Sequence, residues 1–265
     1  MLAVCATPIG NLDDVTLRVL AELRAAEVVL CEDTRRTRTL LARHGIETSL
    51  LSYHRHNEAA RTAQLLPRLA GGERIALVSD AGLPGVNDPG ARLIAAALGR
   101  GIPVTVLPGP SAVETSLVAS GLLAGRYQFL GYLPRRHGEL EALWRELAGW
   151  PHAAVAFESP QRLPAALASL AGALPERPVA VCRELTKRFE EVVRGTAVEL
   201  AARFAGGVRG EITLVLGPAE SSPDVAVAAD AVGELLAAGL PRKQAAELVA
   251  RLTGVPRNQL YRTSL

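Results

Sequence analysis

Across the first 120 residues, short apolar runs alternate with segments of helical period, and nothing else in the chain restricts its fold so strongly. The runs at 2–6, 28–31, 50–53, 75–78 and 104–107 predict strands, and the segments at 16–25, 34–44, 58–70, 91–100 and 111–120 predict helices. Asp33 and Asn57 stand where N-caps belong, and Gly45 where a helix stops. Such alternation predicts a parallel sheet covered by helices on both faces. One connection in it is unusual. The run 75–78 leads into Ser79-Asp80-Ala81-Gly82-Leu83-Pro84-Gly85-Val86-Asn87-Asp88-Pro89-Gly90, which holds three glycines and two prolines. Ordinary strand-to-helix loops take about two to six residues. A longer one, at the carboxyl edge where open α/β sheets bind ligands, predicts a loop shaped around a ligand. Asp88 and Pro89 are expected to cap the next helix, with Gly101 as its end.

Two further crossings join it at the same edge, residues 6–14 and 107–112. No GxGxxG fingerprint and no Walker A sequence occurs, and the only GxG, Gly99-Arg100-Gly101, follows a helix. The loops therefore favour a small ligand other than a dinucleotide or a nucleoside triphosphate. Gly121 to Gly125 reads as a hinge, after which a second α/β unit begins with a strand at 127–134. A helix at 139–148, a strand at 153–157, a helix opening at Ser159-Pro160, and strands at 179–183, 190–194 and 212–216 complete a second sheet, less clearly parallel than the first. Ser221-Ser222-Pro223 reads as a linker to three helical patterns at 226–238, 242–252 and 256–261. The expected class is α/β: domains at 1–120 and 121–220 with the cleft between them, and a helical element at 224–265.

Composition narrows the setting. With 49% hydrophobic residues in 265, the chain can build a large core. Three isolated cysteines without a CxxC pair predict a reducing, cytoplasmic location and no zinc site. The chain opens directly into a strand with no basic leader, and has no uncharged apolar run of about 18 residues, so neither a signal peptide nor a membrane span is expected. The formal charge is only +2, so a nucleic-acid surface would have to be a local patch. Arg35, Arg36 and Arg38 share one helical turn, with Arg55, Arg61, Arg135 and Arg136 on other segments. In the tail from Gly239 to Leu265, Arg242, Lys243, Arg251, Arg257 and Arg262 face Glu247 alone, a formal charge of +4 in a helix-turn-helix pattern.

The strings ATPIGNLDD, CEDTRRT, YHRHNE, VSDAGLPGVNDPG, LPGPSA, FESPQRL and RELTKRFEE occur in that order, with AAELVARLTGVPRNQLY in the tail. Together they resemble the ribosomal RNA small subunit methyltransferase I family, of the tetrapyrrole-methylase superfamily, from Leu2 to the chain end. The resemblance implies a homodimer that uses S-adenosyl-L-methionine to methylate the 2′-oxygen of a cytidine in the decoding region of 16S ribosomal RNA, within the small subunit. It places the methyl donor between the domains, against Pro8, Ile9, Ser79, Asp80, Ala81, Leu83, Ser111 and Ala112. Ser79 departs from the glycine that the superfamily commonly has before the equivalent aspartate.

Such a transfer needs a hydroxyl relieved of its proton. Asp33, Glu58, Glu184 and Lys187 are the candidates, Asp33 also being a helix cap and Glu184 with Lys187 a possible surface ion pair. Arg35, Arg36, Arg38, His56, Arg135, Arg242 and Lys243 are the expected RNA contacts. His54 and His56 share one face of an extended segment, but no third ligand at suitable spacing suggests metal. The alternatives are a tetrapyrrole methyltransferase, which would leave the arginines unused, and a nonenzymatic RNA-binding protein, which would leave three shaped loops unexplained.

Overall fold

The computed structural model describes residues 1–123, 125–219 and 225–263. Ser221-Ser222-Pro223, read as a linker, lies outside them. Residues Met1–Ala219 form one compact unit and the residues beyond them a second.

The first sheet holds β1 (Leu2–Cys5), β2 (Val28–Cys31), β3 (Leu50–Ser52), β4 (Ile75–Val78) and β5 (Val104–Leu107) in the order β3-β2-β4-β1-β5, every pair parallel. Its strands are apolar without a polar face because both faces are covered. Leu2, Val4, Val28, Leu30, Ile75 and Leu77 pack on α3 (Glu58–Ala70) and α4 (Ala91–Leu98). The intervening Ala3, Cys5, Val29, Cys31, Ala76 and Val78 pack on α1 (Leu17–Ala25) and α2 (Thr34–Arg43). Asp33 caps α2, its carboxylate accepting from Arg35 N–H.

The expected cap of α4 is corrected. Gly90, at φ 139°, takes the N-cap place, with Pro89 outside the helix, and α4 stops at Leu98, before Gly101. That φ lies outside the helical region, so Asp88 and Pro89 cannot belong to the helix, and a Cβ on residue 90 would lie 2.9 Å from Leu77, which keeps the position glycine. That leaves the Asp88 side chain in the loop.

α5 (Ala112–Ser120) leaves the first sheet and packs on the second. Val113 and Leu117, with Ile9 from the first loop, join Val155, Ala180, Cys182 and Val215 in one core. The second sheet holds β6 (Tyr127–Tyr132), β7 (Ala153–Glu158), β8 (Pro178–Arg183), β9 (Glu191–Thr196) and β10 (Ile212–Leu216) in the order β6-β7-β10-β8-β9. Only β6 and β7 are parallel; the other pairs are antiparallel. Its far face carries α6 (His137–Leu147), α7 (Leu163–Ala173) and α8 (Ala197–Arg203) around Trp144, Leu167 and Leu214. Ser159-Pro160 sits in a turn, and α7 starts at Leu163. α8 was not anticipated, although Thr196 and Glu199 form a full capping box at its start. The second unit packs α9 (Val225–Ala237), α10 (Arg242–Thr253) and α11 (Arg257–Thr263) around Val232, Ala245, Ala246, Val249 and Leu260.

Candidate active site

Because β1 lies between β4 and β5 and all three run parallel, their carboxyl ends deliver three loops to one edge. Hydrogen bonds fasten these loops to one another. Thr7 and Gly82 exchange two backbone hydrogen bonds, of 2.9 and 3.0 Å, and the Thr7 hydroxyl donates to the Ser79 carbonyl at 3.0 Å. The Ser79 hydroxyl turns inward and donates to the Gly82 carbonyl at 3.0 Å. A Cβ on Gly109 would stand 2.9 Å from that of Ala6, so the third loop lies directly against the end of β1. These loops form one wall of a cleft of about 850 Å³, whose other wall is the second sheet. A smaller recess of about 300 Å³ continues it past Pro8, Gly10 and Lys187.

Of the residues expected to meet the donor, Ile9, Asp80, Ala81, Leu83, Ser111 and Ala112 line the cleft, while Pro8 and Ser79 line the recess. Asp80 accepts a hydrogen bond from Asp33 N–H at 3.1 Å and lies 3.8 Å from the Arg36 guanidinium. Ser111 donates to Glu114, which also accepts from the Tyr127 hydroxyl at 2.7 Å. Asp88 lines the cleft too, and burial, with Glu32 and Asp80 nearby, pushes its carboxyl up to about 6.

Lys187 reaches the recess from the loop after β8. Its ammonium donates to Glu184 and Glu211, each at 2.9 Å. Burial opposes that charge, but the two carboxylates outweigh it and hold the ammonium above the ordinary lysine range. Glu184 also accepts from Glu211 N–H at 2.8 Å, and this bond with Lys187 holds its carboxyl below the usual range. Glu184 and Thr186 have positive φ, 53° and 65°, so the backbone here is strained. The opposite loop secures it: Asn11 N–H donates to the Thr186 hydroxyl at 2.9 Å, and a Cβ on Gly10 would lie 2.6 Å from Lys187 Cγ and 2.7 Å from the Leu185 carbonyl.

Asp33 is not part of either lining. Its carboxyl, pulled to about 2 by hydrogen bonds from Arg35, serves as cap and ion-pair partner. Glu58 lies on α3, 3.5 Å from Arg92. Arg35, Arg36 and Arg38 share the first turns of α2, and only Arg36 reaches the cleft. His56 and Arg135 are exposed, and Arg136 pairs with Glu139 at 3.2 Å. Arg242 and Lys243 belong to the second unit. Sequence reasoning passed over Glu211, which precedes β10, and the rings of Phe129, Tyr132 and Phe157 on the second wall. Glu211, Phe129 and Tyr132 stand in none of the motif strings, and Phe157 opens FESPQRL, from which no role for its ring was read.

Comparison with known proteins follows the same division of the chain. The family of tetrapyrrole (corrin/porphyrin) methylases matches residues 1–201, and the RsmI C-terminal HTH domain matches residues 223–265. Ribosomal RNA small subunit methyltransferase I of Mesorhizobium japonicum is 44% identical, the match covering 100% of this chain and 91% of that protein. Its counterpart in Mycobacterium tuberculosis is 45% identical, over 98% and 93%. Among solved structures, a cobalt precorrin-4 methyltransferase superposes with a TM-score of 0.61 at 20% identity, covering 82% of this chain and 94% of that one. A Thermus thermophilus uroporphyrin-III C-methyltransferase complexed with S-adenyl homocysteine gives 0.57 at 22%, covering 82% and 96%. These two likenesses concern the fold.

Proposed function

The chain belongs to the ribosomal RNA small subunit methyltransferase I family, on a tetrapyrrole-methylase fold, and from that membership we propose its target atom, its assembly and setting, and how its cleft works. The protein is a methyltransferase of ribosomal RNA that uses S-adenosyl-L-methionine. Its target is the ribose 2′-oxygen of a cytidine in the decoding region of 16S ribosomal RNA, presented by the small subunit. It works in the cytoplasm as a homodimer. Among the described residues no helix is long and apolar enough to cross a membrane.

The observation that carries this reading is the convergence of three interlocked loops from β1, β4 and β5 on one cleft with Asp80 in its lining. The residues present suit the methyl donor. Asp80 offers a carboxylate to an ammonium or to ribose hydroxyls, and Ile9, Ala81, Leu83 and Ala112 offer apolar contact to an adenine. Gly82, at φ 77°, keeps the floor between them free of a side chain. The donor supplies an electrophilic methyl group for in-line displacement.

The protein's share is alignment of the two reactants, a shielded site and management of one proton. Lys187 stays protonated between Glu184 and Glu211, so it acts as a fixed hydrogen-bond donor that holds the acceptor ribose. Asp33 and Glu184, both below the usual carboxylate range, are poor proton acceptors. Arg35, Arg36 and Arg38 of α2, with His56, Arg135, Arg242 and Lys243, meet phosphates, which orient the RNA without reading its sequence. The test is transfer of a tritiated methyl group to small subunits lacking the modification, followed by nucleoside analysis. Label is expected in 2′-O-methylcytidine from the 16S RNA. Label on a base, or in no RNA at all, would overturn the reading.

A further inference from the structure

We propose that the second-sheet wall of the cleft is a subsite for one unpaired nucleobase of the RNA, with Tyr132 as the face on which that base stacks. The proposal rests on the RNA-methylating reading above and goes beyond it by assigning the base its own surface.

The assignment comes from a bulge. β6 and β7 run in register to Phe129 opposite Val155, and the next matched pair is Tyr132 opposite Phe157. Three steps along β6 thus span two along β7, which is one extra residue. Side chains alternate along a regular strand, so Tyr132 would otherwise point away from the face that carries Phe129. The extra residue returns Tyr132 to the face of Phe129 and Phe157, and all three line the cleft. Gly131 makes the bulge possible, at φ 70°. A Cβ there would lie 3.1 Å from the side chain of Asn87, itself at φ 62° and accepting a hydrogen bond from Arg55 through its carbonyl. The long loop of the first wall therefore presses on the bulge that aims Tyr132.

The rings form a braced platform. Phe157 meets Phe129 at 5.1 Å and Tyr132 at 5.6 Å, both edge to face. Phe129 and Phe157 are half-buried, whereas Tyr132 keeps 61% of its surface exposed. The whole chain has only two Trp, four Tyr and four Phe, yet Tyr127, Phe129, Tyr132 and Phe157 all line this one cleft. An RNA nucleotide whose ribose reacts inside a cleft must leave its stack, and an aromatic face in the cleft compensates for that loss. The carboxylates of Asp88, Glu158 and Glu211 line the same cleft as Tyr132, with Arg36 as a cation in that lining. Surroundings rich in acceptors favour a base edge that donates through an exocyclic amino group, as cytosine does and uracil does not.

The experiment measures methyl transfer to undermethylated small subunits, together with S-adenosylmethionine affinity by calorimetry, for wild type, Tyr132→Ala and Tyr132→Phe. Tyr132→Ala is expected to lower kcat/KM for the subunits at least tenfold, with donor affinity within twofold of wild type and an unchanged melting temperature. Tyr132→Phe, which keeps the ring, is expected to stay within threefold. Full activity in Tyr132→Ala would overturn the proposal, and so would a donor affinity that falls in step, because the ring would then belong to the donor's site. A wild-type protein that binds the donor but methylates no RNA would instead overturn the functional reading itself.

Discussion

The two walls of the cleft are built on different principles. The first wall is made of backbone: three loops at the ends of parallel strands, held by Thr7–Gly82 hydrogen bonds and by glycines that let the chain pass closely. The second wall is made of side chains on strands, with Tyr132, Phe129 and Phe157 set on one face by a bulge. A wall of loops and carboxylates suits a small, charged, hydrogen-bonding donor. A wall of rings suits a flat acceptor. On the proposed reading, each of two unlike molecules meets its own kind of surface, and the 183–191 segment, packed against Gly10, ties the two walls together.

The sharpest way to break this division is at that contact. Gly10→Val places a side chain where even a Cβ would lie 2.7 Å from the Leu185 carbonyl, so the Lys187 loop must move. Misplacement on the scale of 1 Å costs about 100-fold in rate, and turnover should fall by about that factor. Overpacking should also lower stability by about 1–3 kcal/mol, measurable by thermal unfolding. Asp80→Ala tests the first wall alone. Loss of one charged hydrogen bond costs about 1.5–3 kcal/mol, so donor affinity should fall about 10- to 100-fold by calorimetry. The affinity of the RNA, measured apart, should hold.

The smallest effect concerns Asp88, which lies between the walls. Its folded carboxyl titrates at about 6, above the ordinary 3.8, because burial and the charges of Glu32 and Asp80 disfavour ionisation more than Arg55 and Ser79 favour it. Ionising it therefore costs folded stability. The cost is absent below pH 3.8, grows up to pH 6 and is complete above it. Asp88→Asn should remove that cost. A raised carboxyl would give about 3 kcal/mol if fully buried, and partial exposure reduces this to about 1–2 kcal/mol. The variant should melt several degrees higher at pH 7.5 and match wild type near pH 3.5.

The first wall was legible in the sequence because its shape is written in local chain chemistry. Glycine and proline spacing marks the 79–90 loop, and the uniformly apolar runs mark a sheet buried on both faces. The second wall was not, because a bulge is a relation between two strands. Nothing within Tyr127 to Tyr132 says that Gly131 will be passed over when pairing with β7 resumes. Lys187 and Glu184 were noticed as residues, but their pairing with Glu211 depends on β8 and β10 lying side by side. Asp88 was misread as a helix cap because Asp-Pro ordinarily makes one, whereas the positive φ of Gly90 breaks the helical path and moves the start of α4. Thr196 with Glu199 was a readable helix signal that was overlooked.

The central claim is that the loop wall takes the methyl donor and leaves the ring wall for the acceptor. A crystal structure of the protein with S-adenosylhomocysteine tests it most directly. The account predicts that the product lies against the 6–14, 79–90 and 107–112 loops, with Asp80 in hydrogen-bonding reach of its ribose or ammonium and the exposed face of Tyr132 still open. An adenine stacked on Tyr132, with Asp80 out of reach, would contradict it.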